Sequence, residues 1–188
     1  MKHLWGGVVG ERLWSWLRGQ ETPLAPTHRH SMGHSHVLPP ELRHASGVYR
    51  VAKRLTGRAS VRLRKENFWT TGMILAVRFT DKTGWEGKAR FAEAQDTPRL
   101  LKVLDELWSG VPPREPLWVA VTLVPLVAEN RHTPSLFDNP KQETLSRVMD
   151  TINMKYGKEA AYFASLHDSL RQAPMRISFS RIPNLAEF

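Results

Sequence analysis

Residues 73–91 read MILAVRFTDKTGWEGKARF, and the alternation in this stretch decides the fold. Met73, Leu75, Val77 and Phe79 alternate with Ile74, Ala76, Arg78 and Thr80, which is the period-two signature of a strand with one apolar face. Asp81-Lys82-Thr83-Gly84 supplies turn chemistry. On the return, Trp85, Ala89 and Phe91 alternate with Glu86, Lys88 and Arg90. The stretch is therefore a hairpin with one face for a core and an opposite face carrying Arg78, Lys88 and Arg90.

Helical spacing takes over after the hairpin. Thr97-Pro98 is a suitable N-cap and N1 pair, Leu100, Leu101, Leu104, Leu107 and Trp108 follow, and Gly110 ends the helix. Beyond Pro112-Pro113, residues 117–127 (LWVAVTLVPLV) form an apolar run suited to a covered strand. Before the hairpin, residues 30–38 (HSMGHSHVL) are extended and stop at Pro39-Pro40. From Glu41 the apolar positions Leu42, Ala45, Val48, Ala52, Leu55 and Ala59 have helical spacing. Residues 58–65 (RASVRLRK) fit two patterns. They read as a strand with Val61 and Leu63 inward, or as a continuation of the helix through Ala59 and Leu63, with Gly57 costing about 1 kcal/mol. The order is β-α-β-β-α-β. This predicts an α+β fold with a four-stranded sheet, two helices on one face and the other face open.

The flanks are less regular. Residues 1–19 predict a short helix with Leu13, Trp14 and Leu17 on one side and Gly19 as its stop. So short an element cannot bury its tryptophans alone, which implies a packing partner. Residues 20–29, with two prolines, read as a tether. A polar tail begins near Ala128 and contains Ser135-Leu136-Phe137-Asp138. A helix follows, capped by Asn139 with Pro140 at N1 and Gln142 at N3, with Leu145, Val148, Met149 and Ile152 as its stripe and Gly157 as its end. Residues 160–163 and 176–179 are short β-like pieces, so the tail predicts a small α/β extension. The expected division is 1–19, 20–29, a main domain over 30–128 and an extension over 129–188.

Composition restricts the function classes. The 188 residues carry 27 Lys and Arg against 18 Asp and Glu, a net +9 that suits a polyanionic partner without proving one. There are no cysteines, so disulfides, thiolate catalysis and Cys-ligated zinc are excluded. No apolar run approaches the roughly 20 residues of a membrane span. The first residues mix charge with Trp, unlike a secretory signal, so a reduced cytoplasmic setting is the expectation.

The motifs that carry chemistry are few. His28, His30, His34 and His36 alternate along an extended segment, and imidazole is a common zinc ligand. Their spread and the lack of a carboxylate among them favour a polar strand face, in reach of phosphate, over a metal site. The acidic residues are scattered, whereas phosphoryl transfer needs clustered carboxylates holding metal ions. No glycine-rich phosphate loop is present, and no serine has a convincing base partner. Arg78, Lys88 and Arg90, with Arg114 ahead of the last strand, fit either a phosphate-facing surface or an ordinary solvated face. Ser135-Leu136-Phe137 fits either a short docking peptide or a hydrophobic staple leading into the helix at Asn139, and spacing favours the staple.

Several of these segments together resemble the little-finger domain of Y-family DNA polymerases. They are the strand over 31–38, the helix through Leu63-Arg64, Gln95-Asp96-Thr97, Leu107-Trp108-Ser109-Gly110, and the closing strand ahead of Ser135-Leu136-Phe137-Asp138. The likeness is greatest to the bacterial SOS-mutagenesis branch, the catalytic subunit of polymerase V and its relatives. Residues 145–153 (LSRVMDTIN), with Tyr156-Gly157 and Tyr162-Phe163, resemble the extension that follows the little finger there, and residues 11–19 resemble the last helix of the thumb.

The resemblance implies one helix from Glu41 to about Lys65, packed behind a sheet that lies across the DNA major groove. It implies DNA contacts from His30, Ser31, His34, Arg78, Lys88, Arg90 and Arg114. It gives Ser135, Leu136 and Phe137 a role as a clamp-binding peptide, although Thr133 and Pro134 depart from the Gln-Leu that opens that peptide in the family. The implied partners are primer-template DNA, the sliding clamp and other SOS mutagenesis proteins. The family's palm, with its metal-binding carboxylates, and its fingers are expected ahead of residue 1. Magnesium and nucleotide incorporation would then belong to a full-length parent, and no cofactor or catalytic residue to this chain.

Overall fold

The structure is a computed structural model that describes residues 7–20, 29–134 and 140–173. Its elements run α1 (Gly7–Leu17), β1 (Met32–Val37), α2 (Ala45–Lys65), β2 (Phe68–Phe79), β3 (Gly84–Ala94), α3 (Thr97–Trp108), β4 (Pro116–Leu123), β5 (Leu126–Ala128) and α4 (Pro140–Tyr156). The β-α-β-β-α-β order is the expected one. The sheet is antiparallel throughout, in the order β1-β4-β2-β3, with β5 added to the start of β2. Crossovers through α2 and α3 place both helices on the same face.

Register explains the core. Three cross-strand rows face the helices: Met32–Leu123–Met73–Ala89, His34–Val121–Leu75–Gly87 and His36–Val119–Val77–Trp85. Against them α2 buries Val48, Val51, Ala52, Leu55, Ala59 and Leu63, and α3 buries Leu100, Leu101, Val103 and Leu104. Removing these side chains from water is the main stabilising term.

Residues 58–65 are helical, as the family resemblance implied. Burial follows the helical period there, with Ala59 and Leu63 buried and Val61 exposed at 44%. Gly57 is buried in α2, and a Cβ there would lie 3.1 Å from Leu166 Cδ1, so its small size admits the 3-10 turn Ala164–Ser169 against the helix. The helix begins later than expected. Pro40–Leu42 forms a separate 3-10 turn, and α2 starts at Ala45 with His44 as its N-cap, whose side chain accepts from Gly47 N. At α3 the cap is Asp96 rather than Thr97, because the Asp96 carboxylate accepts from Arg99 N at 2.9 Å. Thr97 is instead a buried first-turn residue, its hydroxyl 2.8 Å from Ser60 Oγ.

The run over 117–127 is not one strand. It breaks at the cis Val124–Pro125 peptide, after which β5 pairs with Phe68–Thr70. Residues 160–163 are not a strand either, and the described part of the extension is helical. The cap at Asn139 and the β-like piece at 176–179 lie outside the described residues.

The expected stripe of α4 is only half covered, with Met149 and Ile152 partly buried. Leu145 and Val148 are exposed, 49% and 48%, while Ser146 is buried. Polar groups attach this helix. Asp150 receives Arg64 Nε at 2.6 Å and Nη2 at 2.9 Å, Ser146 Oγ accepts from Thr97 N at 3.4 Å, and Glu143 accepts from Gln95 Nε2 at 3.0 Å. Arg64 also donates to Gln95 O at 2.7 Å and Thr97 Oγ1 at 3.2 Å, so one buried guanidinium joins three segments. Because truncating one partner leaves the others buried and unpaired, Arg64→Ala should destabilise the chain by about 3 kcal/mol and lower its melting temperature by on the order of 10 °C. Arg64→Lys should recover little of this, since an ammonium cannot reproduce the fork. Thermal melts of the two variants check both statements.

Candidate nucleic-acid interface

The side of the sheet away from α2 and α3 is built from the alternate residues of the same strands. Its rows are Val37–Trp118–Arg78–Gly84, Ser35–Ala120–Ala76–Glu86 and Gly33–Thr122–Ile74–Lys88, and Gly72 pairs with Arg90 beyond them. Neutral side chains fill the middle, small at Ala120, Ala76 and Thr122 and larger at Trp118 and Ile74, and cations gather toward β2 and β3 with Glu86 among them. This face is open because neither crossover helix lies on it. Arg78, Lys88 and Arg90 are all exposed here, as the hairpin alternation predicted.

Their surroundings differ. Arg78 lies across Gly84, where a Cβ would come within 3.1 Å of its Cδ and Nη1, so glycine leaves room for the guanidinium. Lys88 Nζ sits 2.9 Å from Glu86 Oε1, a pair with both side chains more than half exposed, which holds the ammonium only weakly. Arg114 stands at the hairpin turn. Its Nη1 is 3.0 Å from Asp81 Oδ2 and 3.1 Å from Thr83 Oγ1. Hydrogen bonds from Thr83, and then the bond and charge of Arg114, hold the Asp81 carboxyl below its usual range. Arg114 is thus engaged with a carboxylate at the surface rather than presented alone.

The first strand is placed differently from expectation. His34 and His36 point to the helix-covered side, in the core rows of β1, and not to the face of Arg78, Lys88 and Arg90. The physical reason is the period-two pleat: Met32 and Leu38 must be buried, so the positions between them on the same face go inward too. Ser31 and His30 are exposed just ahead of β1, and the His30 carbonyl accepts from Leu126 N at 3.1 Å. His28 and the triplet Ser135, Leu136 and Phe137 lie outside the described residues. Among the described residues no three His, Cys, Asp or Glu side chains are grouped to hold a metal ion. None of the described helices is long and apolar enough to cross a membrane.

The geometry adds Trp118, Ser35 and Thr122 to the open face. Their signal was present in the sequence, since Trp118, Ala120 and Thr122 alternate with Val119, Val121 and Leu123. The high apolar content of the run hid it.

The family model for the impB/mucB/samB family C-terminal domain matches residues 29–146, more than half of the chain. The chain belongs to this family. No curated protein matches it. Among solved structures, it is similar to a Y-family DNA polymerase chimera at 16% identity and a TM-score of 0.48, over 68% of this chain and 38% of that one. It is similar to a post-insertion binary complex of Dbh DNA polymerase at 14% identity and a TM-score of 0.45, again over 68% and 38%. A complex of the beta-clamp processivity factor and the little finger domain of PolIV is similar at 15% identity and a TM-score of 0.43, over 58% of this chain and 100% of that one. The chain therefore spans well under half the length of the polymerases it matches.

In this impB/mucB/samB-type domain, burial and the nearby Arg62 and Arg58 push the His34 imidazole from 6.5 down to about 4. The unfolded chain takes up that proton at higher pH than the folded one. The contribution of His34 to folding stability is therefore full above about pH 6.5 and falls as the pH drops toward about 4. His34→Gln should keep more of its neutral-pH stability in this window than the unaltered chain. Urea midpoints at pH 7 and pH 4.5 measure the difference.

Proposed function

We propose that this chain binds primer-template DNA in translesion synthesis and DNA repair, as the non-catalytic C-terminal part of a Y-family polymerase. The observation that carries the reading is the open sheet face, with Arg78, Lys88 and Arg90 exposed along β2 and β3. A twisted antiparallel sheet with a neutral centre and a cationic side can straddle a groove, with cations meeting phosphates. The chain's net charge of +9 works in the same direction. Contacts of this kind position the duplex without reading its sequence, which suits a protein whose template is damaged. Ser31 and His30 remain candidates beside β1, and Arg114 a weaker one. Polymerisation and magnesium belong to the proposed parent, and the proposed setting is an SOS-type response in the cytoplasm.

A second reading is docking on a processivity clamp or on another mutasome protein through Ser135, Leu136 and Phe137. It is favoured by the way the chain is held on both sides of this triplet. His132 stacks on Trp69 before it, and α4 is pinned through Ser146 and Asp150 after it.

DNA binding should weaken with salt along a log–log slope near −0.9 per phosphate contact. Lys88→Ala combined with Arg90→Ala should reduce that slope by about 2 and weaken binding alike for unrelated sequences. Arg114→Ala should change it less, because Asp81 already compensates that charge. Fluorescence anisotropy on labelled primer-template at several salt concentrations reads all three. Binding that is absent in dilute buffer, or indifferent to salt, overturns the proposal.

A further inference from the structure

Most of the described tryptophans are accounted for by their neighbours. Trp85 and Trp108 pack against the core, and Trp108 also meets Tyr49 with ring centroids 5.1 Å apart. Trp69 is buried under the His132 imidazole, and Trp14 carries the Arg18 guanidinium 3.8 Å from its ring centre. Trp118 is different. It stands on β4 in the interior of the sheet, half-buried on the open face, and takes no part in the core. Among the described residues no ring or cation stacks on its indole. Directly across from it are Val37, 52% exposed, and Arg78. Arg78 lies across Gly84 on its other side, so the guanidinium is near the indole without covering it. Ser35, Ala120 and Ala76 form the adjoining row, and none is large enough to cover an indole.

Folding gains little from apolar area that stays in water, so an aromatic ring and a valine side by side on this face point to a partner. The cations Arg78, Lys88 and Arg90 on the same face favour a polyanion as that partner over an apolar protein surface. A paired duplex shows only base edges in its grooves, so a ring on the protein cannot lie flat on a paired base. An unpaired base has a free π-face, and stacking on an aromatic side chain then adds to binding whichever base it is.

We propose that Trp118, with Val37 beside it, is a stacking site for an unpaired base of the bound DNA, and that Arg78 meets a neighbouring phosphate. The inference rests on the DNA-binding reading given above and adds a preference that the cations cannot supply. Phosphates recur at every nucleotide, whereas a base free to stack exists only where pairing has failed.

The test uses the full 188-residue chain and two labelled duplexes that differ only in a single unpaired thymine at the centre of one strand. Fluorescence anisotropy gives both affinities at several salt concentrations. The unaltered chain should prefer the duplex with the unpaired base by roughly 5- to 100-fold, the scale of one base stacked on an aromatic side chain. Trp118→Ala should bring the two affinities together without altering the salt slope, because no phosphate contact is removed. Trp118→Phe should keep part of the preference. Lys88→Ala combined with Arg90→Ala should weaken both complexes and keep the ratio between them. Should Trp118→Ala melt below the binding temperature, Trp118→Leu carries the comparison, since it keeps apolar bulk on the sheet but has no aromatic face. A preference that survives Trp118→Leu belongs to the flexibility of the DNA or to apolar packing, and overturns the stacking site. The two readings fail separately. If neither duplex binds in dilute buffer, DNA binding falls and takes the stacking site with it. If both bind with the expected salt slope and equal affinity, only the stacking site falls, and Val37 and Trp118 are left as an apolar corner for a protein.

Discussion

One buried guanidinium holds the parts of this protein in their relation to each other. Arg64 comes from the last turn of α2, donates to the backbone at Gln95 and to Thr97 at the start of α3, and forks onto Asp150 of α4. Burying a cation is tolerable only with its donors satisfied, so the position of each partner is dictated by the geometry of the fork. The hydrophobic layer between the sheet and the two crossover helices stabilises the fold, but such packing is forgiving about the exact placement of an added element. The charged link is not. It explains how α4 stays attached while leaving Leu145 and Val148 in water.

The same separation of tasks runs through the sheet. Every second residue of β1, β2, β3 and β4 is committed to the core, and the residues between are free of that duty. On the committed side even the histidines of β1 are drawn inward, and His34 becomes hard to protonate there. On the free side the chain keeps neutral residues in the middle and exposed cations along β2 and β3. A surface of that kind needs a rigid support, and the two helices behind it supply one. The face that folding does not use is therefore the one left available to a partner.

Much of this was legible beforehand. The hairpin over 73–91, its buried and exposed sets, and the α3 stripe through Leu100 and Leu104 follow from periodicity, because each is decided by neighbours two to four residues apart. Whether residues 58–65 were helix or strand was not legible from pattern. Both periods fit Ala59 and Leu63, and they part at Val61, which the strand reading turned inward and the helix leaves 44% exposed. Half of the α4 stripe, Leu145 and Val148, was misread for a different reason. Helical spacing correctly showed that Leu145 and Val148 share a face, yet it says nothing about which face meets the rest of the molecule. The histidine strand failed at the same step: alternation put the imidazoles together, and only the burial of Met32 and Leu38 showed that they point inward.

By itself, then, the sequence determined the order of elements, the two-faced sheet and the exclusion of thiol chemistry, and its resemblance to a polymerase family placed residues 58–65 on a helix. All but the last are consequences of local periodicity, turn chemistry and composition. Only the tertiary structure decided which side of β1 is covered, where the last strand breaks, that Arg64 is a structural link, and that Trp69, His132 and Glu93 meet. Each of these depends on contacts between segments far apart in sequence, and the free energy of such contacts is set by burial and partner geometry that no local pattern encodes.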